Sequence, residues 1–406
     1  MPTPNQIAIE RDVSALPVFS DHEHHLPDGF FSEGLSLEKC LARSYVDWTG
    51  FAPKGTASSR ASFLDNVRFN SYYVWFERGF QAMHGVTEPI TVERWDVLSE
   101  LLRQHHAVDP DLHWKALLRG GYERLIQDAY WNPGDDMGHP EAFVPTLRID
   151  KFLYGYHPDQ VAPDDIYPWK HYGFEGGSLD DYVALMRETI IQRHASGLVA
   201  ALKCAEAYNR GLDLGEDDRA AAEAAFGRRP EIVSPEARRL FSNYIFHRCC
   251  ELAIELNVPF QIHTGLANLS GSNPMHLIPI LERYPLARFV LFHTGYPWTA
   301  EAAGLAHNYM NVYPSLTWTA TICTSAAMRA LHDLIEVSCS INRITWGSDC
   351  WVPEESLGAL LAWRFIVSRV LAERVDDGRL RPGDVETLAE KLMYGNGRAI
   401  YGLPPR

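Results

Sequence analysis

Two identical His-Thr-Gly tripeptides, at His263 and His293, lie about thirty residues apart, and each follows a short apolar run. Such runs predict β-strands that end at the histidine, and about thirty residues is the length of one repeated strand-and-helix unit. A third run of this kind ends at Asp349. Neutral imidazoles and carboxylates are common ligands of zinc and similar ions, so these strand ends predict metal-dependent chemistry.

Further histidines lie near the start of the chain, in the segment 21–25, which reads Asp-His-Glu-His-His. In a strand, residues two apart face the same side, so His22 and His24 could bind one ion together. Glu23 and His25 share the opposite face, and only one of the two faces can point into the protein. The segment is also compatible with a polar surface run, but its combination with three polar strand ends favours a metal site.

Two basic residues also lie at predicted strand ends. A lysine inside a barrel, at Lys203, would lose hydration and have a lowered pKa. It could be carbamylated and bridge two metals, remain an amine that binds a substrate carboxylate, or form a structural ion pair with Asp150 or another carboxylate. Arg148 could bind a substrate carboxylate through its planar guanidinium, or form a buried ion pair.

Groups this far apart in sequence require a scaffold that collects the ends of several strands. Eight short apolar runs are predicted, which end at or near His24, Asp128, Asp150, Lys203, His263, His293, Leu316 and Asp349. Amphipathic stretches at 179–194, 236–256 and 325–337 predict helices between them. The pattern predicts an α/β fold, a (β/α)8 TIM-like barrel with right-handed crossovers.

Residues 35–119 interrupt this alternation. They show helical spacing of apolar residues, as at Trp75 and Phe76, and contain no strand-like run that ends on a polar residue. We expect a helical insertion after the first strand, within a single domain that spans 1–406. A second irregular segment, 211–235, predicts an exposed helix and loop.

Composition excludes several classes of function. The formal net charge is −15, so nucleic acid and anionic membranes are disfavoured as partners. Seven cysteines without a Cys-x-x-Cys pair predict reduced thiols, and neither a signal peptide nor a long apolar stretch is visible. These features predict a cytoplasmic protein with a small-molecule substrate, and they leave open whether it is a monomer or a homo-oligomer.

Together these residues resemble the metal-dependent amidohydrolase superfamily. The finer resemblance is to its amidohydrolase-related branch, which includes the N-terminal domain of FluG-like proteins, with uronate isomerases and metal-dependent decarboxylases as more distant kin. The segments that carry it are 202–212, 261–265, 291–297, 347–354 and 394–403.

The resemblance implies one divalent ion, zinc with manganese or iron as alternatives, bound by His22, His24, His263 and Asp349. Asp349 would also act as the base on water, and His293 would bind or polarise the substrate. Tyr208, with Lys203 and Arg148, would contact the substrate.

The chain departs from the usual pattern of the branch at two places. Ser20 stands where an Asp is usual two residues before the first ligand histidine, and the seventh strand reads Tyr313-Pro-Ser where relatives have Asp then Ser. An alignment through Pro17-Val-Phe nevertheless favours His22 and His24 over Glu23 and His25.

The resulting expectation is hydrolysis of an amide, a lactone or a similar C–N or C–O bond in a small polar, anionic molecule. The same ion could stabilise an enediolate or carbanion, so a decarboxylase or isomerase is the alternative function. A catalytically silent metal-binding module is the third hypothesis.

Overall fold

Short parallel strands form the centre of the protein in the computed structural model, which describes residues 2–32 and 34–404. The strands are β1 Val18–Glu23, β2 Tyr122–Gln127, β3 Phe143–Pro145, β4 Leu147–Arg148, β5 Leu202–Cys204, β6 Phe260–Ile262, β7 Phe289–Leu291 and β8 Val312–Pro314. They pair in the orders β1-β2-β3 and β4-β5-β6-β7-β8, and every pair is parallel.

The two sheets are linked through a single position of the barrel. Only Thr146 separates β3 from β4, and its N–H donates to the carbonyl of Gln127 at 2.9 Å. Strand β3 pairs with β2, and β4 pairs with β5. The two short strands together therefore occupy the third strand position of the barrel.

Residues 344–351 connect the last strand to the first. Thr345 exchanges backbone hydrogen bonds with Pro314 and Leu316 on one side, while the N–H of Asp349 donates to the carbonyl of His22 at 2.9 Å on the other. The predicted (β/α)8 fold class is confirmed, although this eighth position is an irregular segment. One reason is that Asp349 itself has a left-handed backbone, with φ of 65°.

Helices follow most of the strands. Their bounds are α1 Pro4–Ala15, α2 Asp28–Ser32, α3 Leu37–Leu41, α4 Ala57–Val67, α5 Ser71–His84, α6 Trp95–Val108, α7 Leu112–Gly120, α8 Pro168–Tyr172, α9 Leu179–Ala195, α10 Arg219–Ala225, α11 Pro235–Glu255, α12 Ile278–Arg283, α13 Thr299–Asn308, α14 Thr319–Ile322, α15 Thr324–Val337, α16 Pro353–Asp376, α17 Val385–Glu390 and α18 Asn396–Tyr401. Within the described residues, no helix is long and apolar enough to cross a bilayer.

Helices α2 to α7 all lie between β1 and β2, and α2 to α6 share a second apolar core, which includes Phe76, Phe80, Trp95 and Val352. Helix α5 packs closely against α16, where a side chain at Gly79 would overlap the backbone carbonyl of Glu354. Since α16 begins four residues after Asp349, this packing fixes the helical region against the end of the barrel that carries the polar strand ends.

Candidate metal centre

His22 and His24 of β1 and its following loop converge on Asp349. Their Nε2 atoms lie 3.3 and 3.2 Å from the same oxygen, Oδ1 of Asp349. The three residues are 1%, 7% and 3% exposed. Ligands at about 2.1 Å from a tetrahedral ion are about 3.4 Å apart, so these separations suit three ligands of one ion.

Hydrogen bonding around this cluster is consistent with a cation. Nδ1 of His24 lies 2.8 Å from the backbone carbonyl of Asp128, and a carbonyl can only accept, so Nδ1 carries the proton. In the neutral ring Nε2 then directs a lone pair at Asp349. Among the described residues none donates a hydrogen bond to Oδ1 of Asp349, and burial lowers the pKa of His22 well below its usual value. A divalent ion therefore fits this donor set.

Two of the predicted site residues have a left-handed backbone conformation. Asp349 and His293 have φ values of 65° and 63°, which are uncommon for residues other than glycine. Strain of this kind costs about 1–3 kcal/mol and is maintained only where the surroundings enforce it. The two side chains approach each other, with Nδ1 of His293 4.0 Å from Oδ2 of Asp349.

His293 and His263 form a buried pair beside the cluster. Nδ1 of His293 donates to the carbonyl of Thr317 at 2.9 Å and lies 4.0 Å from Oδ2 of Asp349. Its Nε2 is 2.9 Å from Nδ1 of His263. The pKa of His293 is lowered to about 4 by burial, so the ring is neutral at physiological pH.

His263 is therefore not brought into the three-residue cluster. Its Nε2 lies 3.0 Å from the carbonyl of Leu266, and its other nitrogen faces His293. Its role as a fourth metal ligand stays a prediction.

Tyr45 and Asp128 complete the surroundings of the cluster, and sequence reasoning assigned a role to neither. The hydroxyl of Tyr45, which follows α3, donates to Oδ2 of Asp349 at 2.8 Å. Asp128 lies just beyond β2, and its Oδ2 is 3.8 Å from Nε2 of His22. A polar residue at the end of a predicted strand was a signal for Asp128, whereas the sequence around Tyr45 contains no comparable signal.

Arg148 forms an ion pair with Asp128, at 2.5 Å between Nη2 and Oδ2. The Arg148 side chain nevertheless remains 18% exposed, and it lines a cavity of about 200 Å³ together with Tyr130 and Tyr208. The ring centroid of Tyr208 is 4.3 Å from that of His263, so this cavity adjoins the pair of His263 and His293 beside the cluster.

Lys203 is 1% exposed, and its Nζ lies 3.9 Å from the centre of the Phe292 ring. Burial lowers its pKa to about 8. Asp150 accepts instead from the backbone N–H of Ala205, at 3.0 and 3.2 Å. Within the part of the chain that the structure describes, Lys203 forms no ion pair within 4 Å.

The opposite face of β1 points elsewhere. Nε2 of His25 lies 2.8 Å from Nδ1 of His113, and Glu23 accepts from the hydroxyl of Ser20 at 2.5 Å. Burial raises the pKa of Glu23 to about 7. The structure thus places His22 and His24 at Asp349, and His25 among the helices.

The family model for amidohydrolases matches residues 105–403. The chain belongs to the amidohydrolase family. It is 33% identical over 153 residues to the protein fluG of Emericella nidulans, a match that covers 36% of this chain and 18% of fluG. The chain thus matches about a fifth of the length of that relative.

Solved structures show the same fold at low sequence identity. The uronate isomerase of Thermotoga maritima is 15% identical, with a TM-score of 0.78, and the match covers 99% of this chain and 98% of that chain. The glucuronate isomerase of Caulobacter crescentus is 16% identical, with a TM-score of 0.77 over 99% and 94% of the two chains.

Proposed function

We propose that the protein is a metal-dependent hydrolase that cleaves a C–N or C–O bond, such as an amide or a lactone, in a small anionic molecule. The observation that carries this proposal is the convergence of His22 and His24 on one oxygen of Asp349, at 3.3 and 3.2 Å. An ion bound there, zinc in our proposal, would supply a Lewis acid that lowers the pKa of water and polarises a carbonyl group.

Asp349 is suited to receive and return the proton of the attacking water. Its Oδ1 faces the histidines while its Oδ2 accepts from Tyr45, so the two oxygens have separate partners. Tyr45 keeps its own proton, because burial and the nearby Asp349 raise its pKa well above the usual value. It therefore orients the carboxylate as a permanent donor and does not compete as an acid.

Neutral His293 is placed to orient the substrate. Its Nδ1–H is held by the carbonyl of Thr317, and its Nε2 faces His263. Nε2 of His293 therefore carries no proton and could accept a hydrogen bond from a donor group of a substrate near Asp349.

The adjoining cavity favours an anionic substrate of modest size. Arg148 lines it, and Lys203, which pairs in register with Arg148 on the neighbouring strand, has no ion pair of its own among the described residues. A volume of about 200 Å³ suits a small metabolite. Tyr208, whose side chain is 41% exposed, lines this cavity. Arginine and lysine together can bind a carboxylate that lies away from the scissile bond.

The decisive experiment is turnover by the metal-loaded protein on N-acyl amino acids, lactones, uronates and hydroxybenzoates in ¹⁸O-labelled water. Hydrolysis would transfer one labelled oxygen to the product carboxylate, and we expect this for an amide or a lactone. Asp349→Ala serves as the inactive control.

Isomerisation of a uronate or release of CO₂ without hydrolysis would replace the proposal with the isomerase or decarboxylase alternative. A full metal complement without turnover on any class would indicate a metal-binding module.

A further inference from the structure

A second cluster of buried metal-binding side chains lies outside the barrel mouth, between the helical region and α16. Nε2 of His84, at the end of α5, is 3.1 Å from Oε1 of Glu354. Nε2 of His106, on α6, is 3.2 Å from the same oxygen. The donor atoms of the three residues all lie within 4.8 Å of one another.

The cluster contains a buried carboxyl group. Glu354 is 0% exposed, so its side chain has no solvent to stabilise a negative charge. Among the described residues its side-chain contacts are the imidazoles of His84 and His106 and the thiol of Cys40, at 3.5 Å from Oε2. None of the three carries a permanent positive charge, and an uncompensated buried carboxylate is costly.

The geometry suits a divalent ion. Ligands about 2.1 Å from a tetrahedral ion are separated by about 3.4 Å, close to the distances between each imidazole and Glu354. They also match the 3.3 and 3.2 Å separations around Asp349 at the first cluster. Nδ1 of His84 lies 2.9 Å from Nδ1 of His105, and ligating histidines commonly donate their second N–H in this way.

We propose that His84, His106 and Glu354 bind a second divalent cation, such as zinc. This ion is structural and separate from the ion at Asp349. The side chains of the three residues are at most 1% exposed, so the site has no access for a substrate. Two imidazoles and one carboxylate occur together at zinc sites with three protein ligands, where water fills the fourth position.

This ion would link α5 and α6 to the first turn of α16, because His84, His106 and Glu354 belong to these three helices. The same turn follows Asp349 closely, and the neighbouring Glu355 accepts from the backbone N–H of Tyr45 at 2.6 Å. Tyr45 in turn donates to Asp349. A cation at Glu354 therefore stabilises the segment that places the Tyr45 hydroxyl at the first cluster.

The test is the metal content per chain of the purified holoprotein, measured by inductively coupled plasma mass spectrometry. We expect about two equivalents in the wild type, about one in Glu354→Gln, about one in Asp349→Ala, and none in the double variant. Glu355→Gln is the matched control, since it changes the adjacent buried glutamate and should keep both equivalents.

The outcomes separate this proposal from the proposed function. One equivalent in the wild type that is lost in Glu354→Gln but kept in Asp349→Ala would support the second site and contradict the first. A wild type with one equivalent that only Asp349→Ala removes would overturn the second site.

A crystal of the wild-type holoprotein provides a measurement that does not depend on the folding of any variant. Anomalous scattering above and below the zinc absorption edge should place a peak between Nε2 of His84 and Nε2 of His106. Zinc density at Asp349 without such a peak would overturn the proposal.

Discussion

The hydroxyl of Tyr45 donates to Oδ2 of Asp349 at 2.8 Å, across 304 residues of sequence. Tyr45 belongs to the helical region between β1 and β2, whereas Asp349 lies on the segment that connects β8 back to β1. The helical region thus contributes directly to the candidate metal centre and orients the carboxylate that we propose as its base.

Tyr45→Phe should therefore lower kcat by about ten- to a hundredfold while the metal content is unchanged, because one hydrogen bond to a charged group is worth about 1.5–3 kcal/mol. Tyr72→Phe is a suitable control, since Tyr72 stacks on Tyr45 with ring centroids 5.5 Å apart but has no contact with Asp349 among the hydrogen bonds of the described residues. Loss of metal in Tyr45→Phe would show that Tyr45 supports the binding site and not the reaction.

The choice between the two faces of β1 can be tested by metal content. His22→Ala and His24→Ala should each remove the equivalent bound at Asp349, since both Nε2 atoms face that carboxylate. His25→Ala should leave it in place, because His25 contacts His113. Loss of that equivalent in His25→Ala would instead assign Glu23 and His25 as the ligands.

His263→Ala tests the predicted role of His263 as a fourth ligand against its arrangement in the structure, from which we expect a greater loss of turnover than of metal. Three donors already surround the proposed ion position, whereas both nitrogens of His263 are engaged with His293 and Leu266. The comparison is the metal content of His263→Ala against Asp349→Ala after identical purification. Equal and complete loss of this equivalent in both variants would make His263 the fourth ligand.

Activity on an anionic substrate should fall as the pH rises through about 8, the value to which burial lowers the pKa of Lys203. The amine is charged below this pH and neutral above it, so attraction to a substrate carboxylate is lost on the alkaline side. A profile of kcat/KM against pH would show this limb in the wild type, and Lys203→Met should lower kcat/KM and abolish the limb with the metal retained. An unchanged limb in Lys203→Met would assign it to another group.

If Lys203 is instead carbamylated, Lys203→Ala should lose metal, and added bicarbonate or short carboxylic acids should partly restore activity. Density at the end of the Lys203 side chain distinguishes the free amine from the carbamate.

Arg148→Met should destabilise the fold by about 3–5 kcal/mol, because it leaves the fully buried Asp128 without its partner. The double variant Asp128→Asn with Arg148→Met should recover part of that loss, since the uncompensated charge is then removed. Denaturant unfolding of the single and double variants measures both effects. Equal stability of Arg148→Met and the wild type would mean that the ion pair makes no net contribution.

Much of the fold could be predicted from the order of apolar runs. Each of the runs ending near Asp128, Lys203, His263 and His293 corresponds to a strand of the barrel, because parallel strands buried on both faces are apolar along their length. The run before Asp349 behaves differently: it bonds to both neighbours but is irregular, since its close packing at Gly347 and the left-handed backbone at Asp349 break the extended geometry.

The sequence by itself determined which residues end the strands, and hence that His22, His24, His293 and Asp349 lie at one end of the barrel, because strand order and a period of two follow from local apolar patterning. Only the tertiary structure decided which ring nitrogen faces which neighbour, as the engagement of His263 with His293 and Leu266 shows. It alone brought Tyr45 to Asp349, and His84 and His106 to Glu354. Such contacts depend on how the helices pack on the barrel, and no local pattern along the chain encodes that packing.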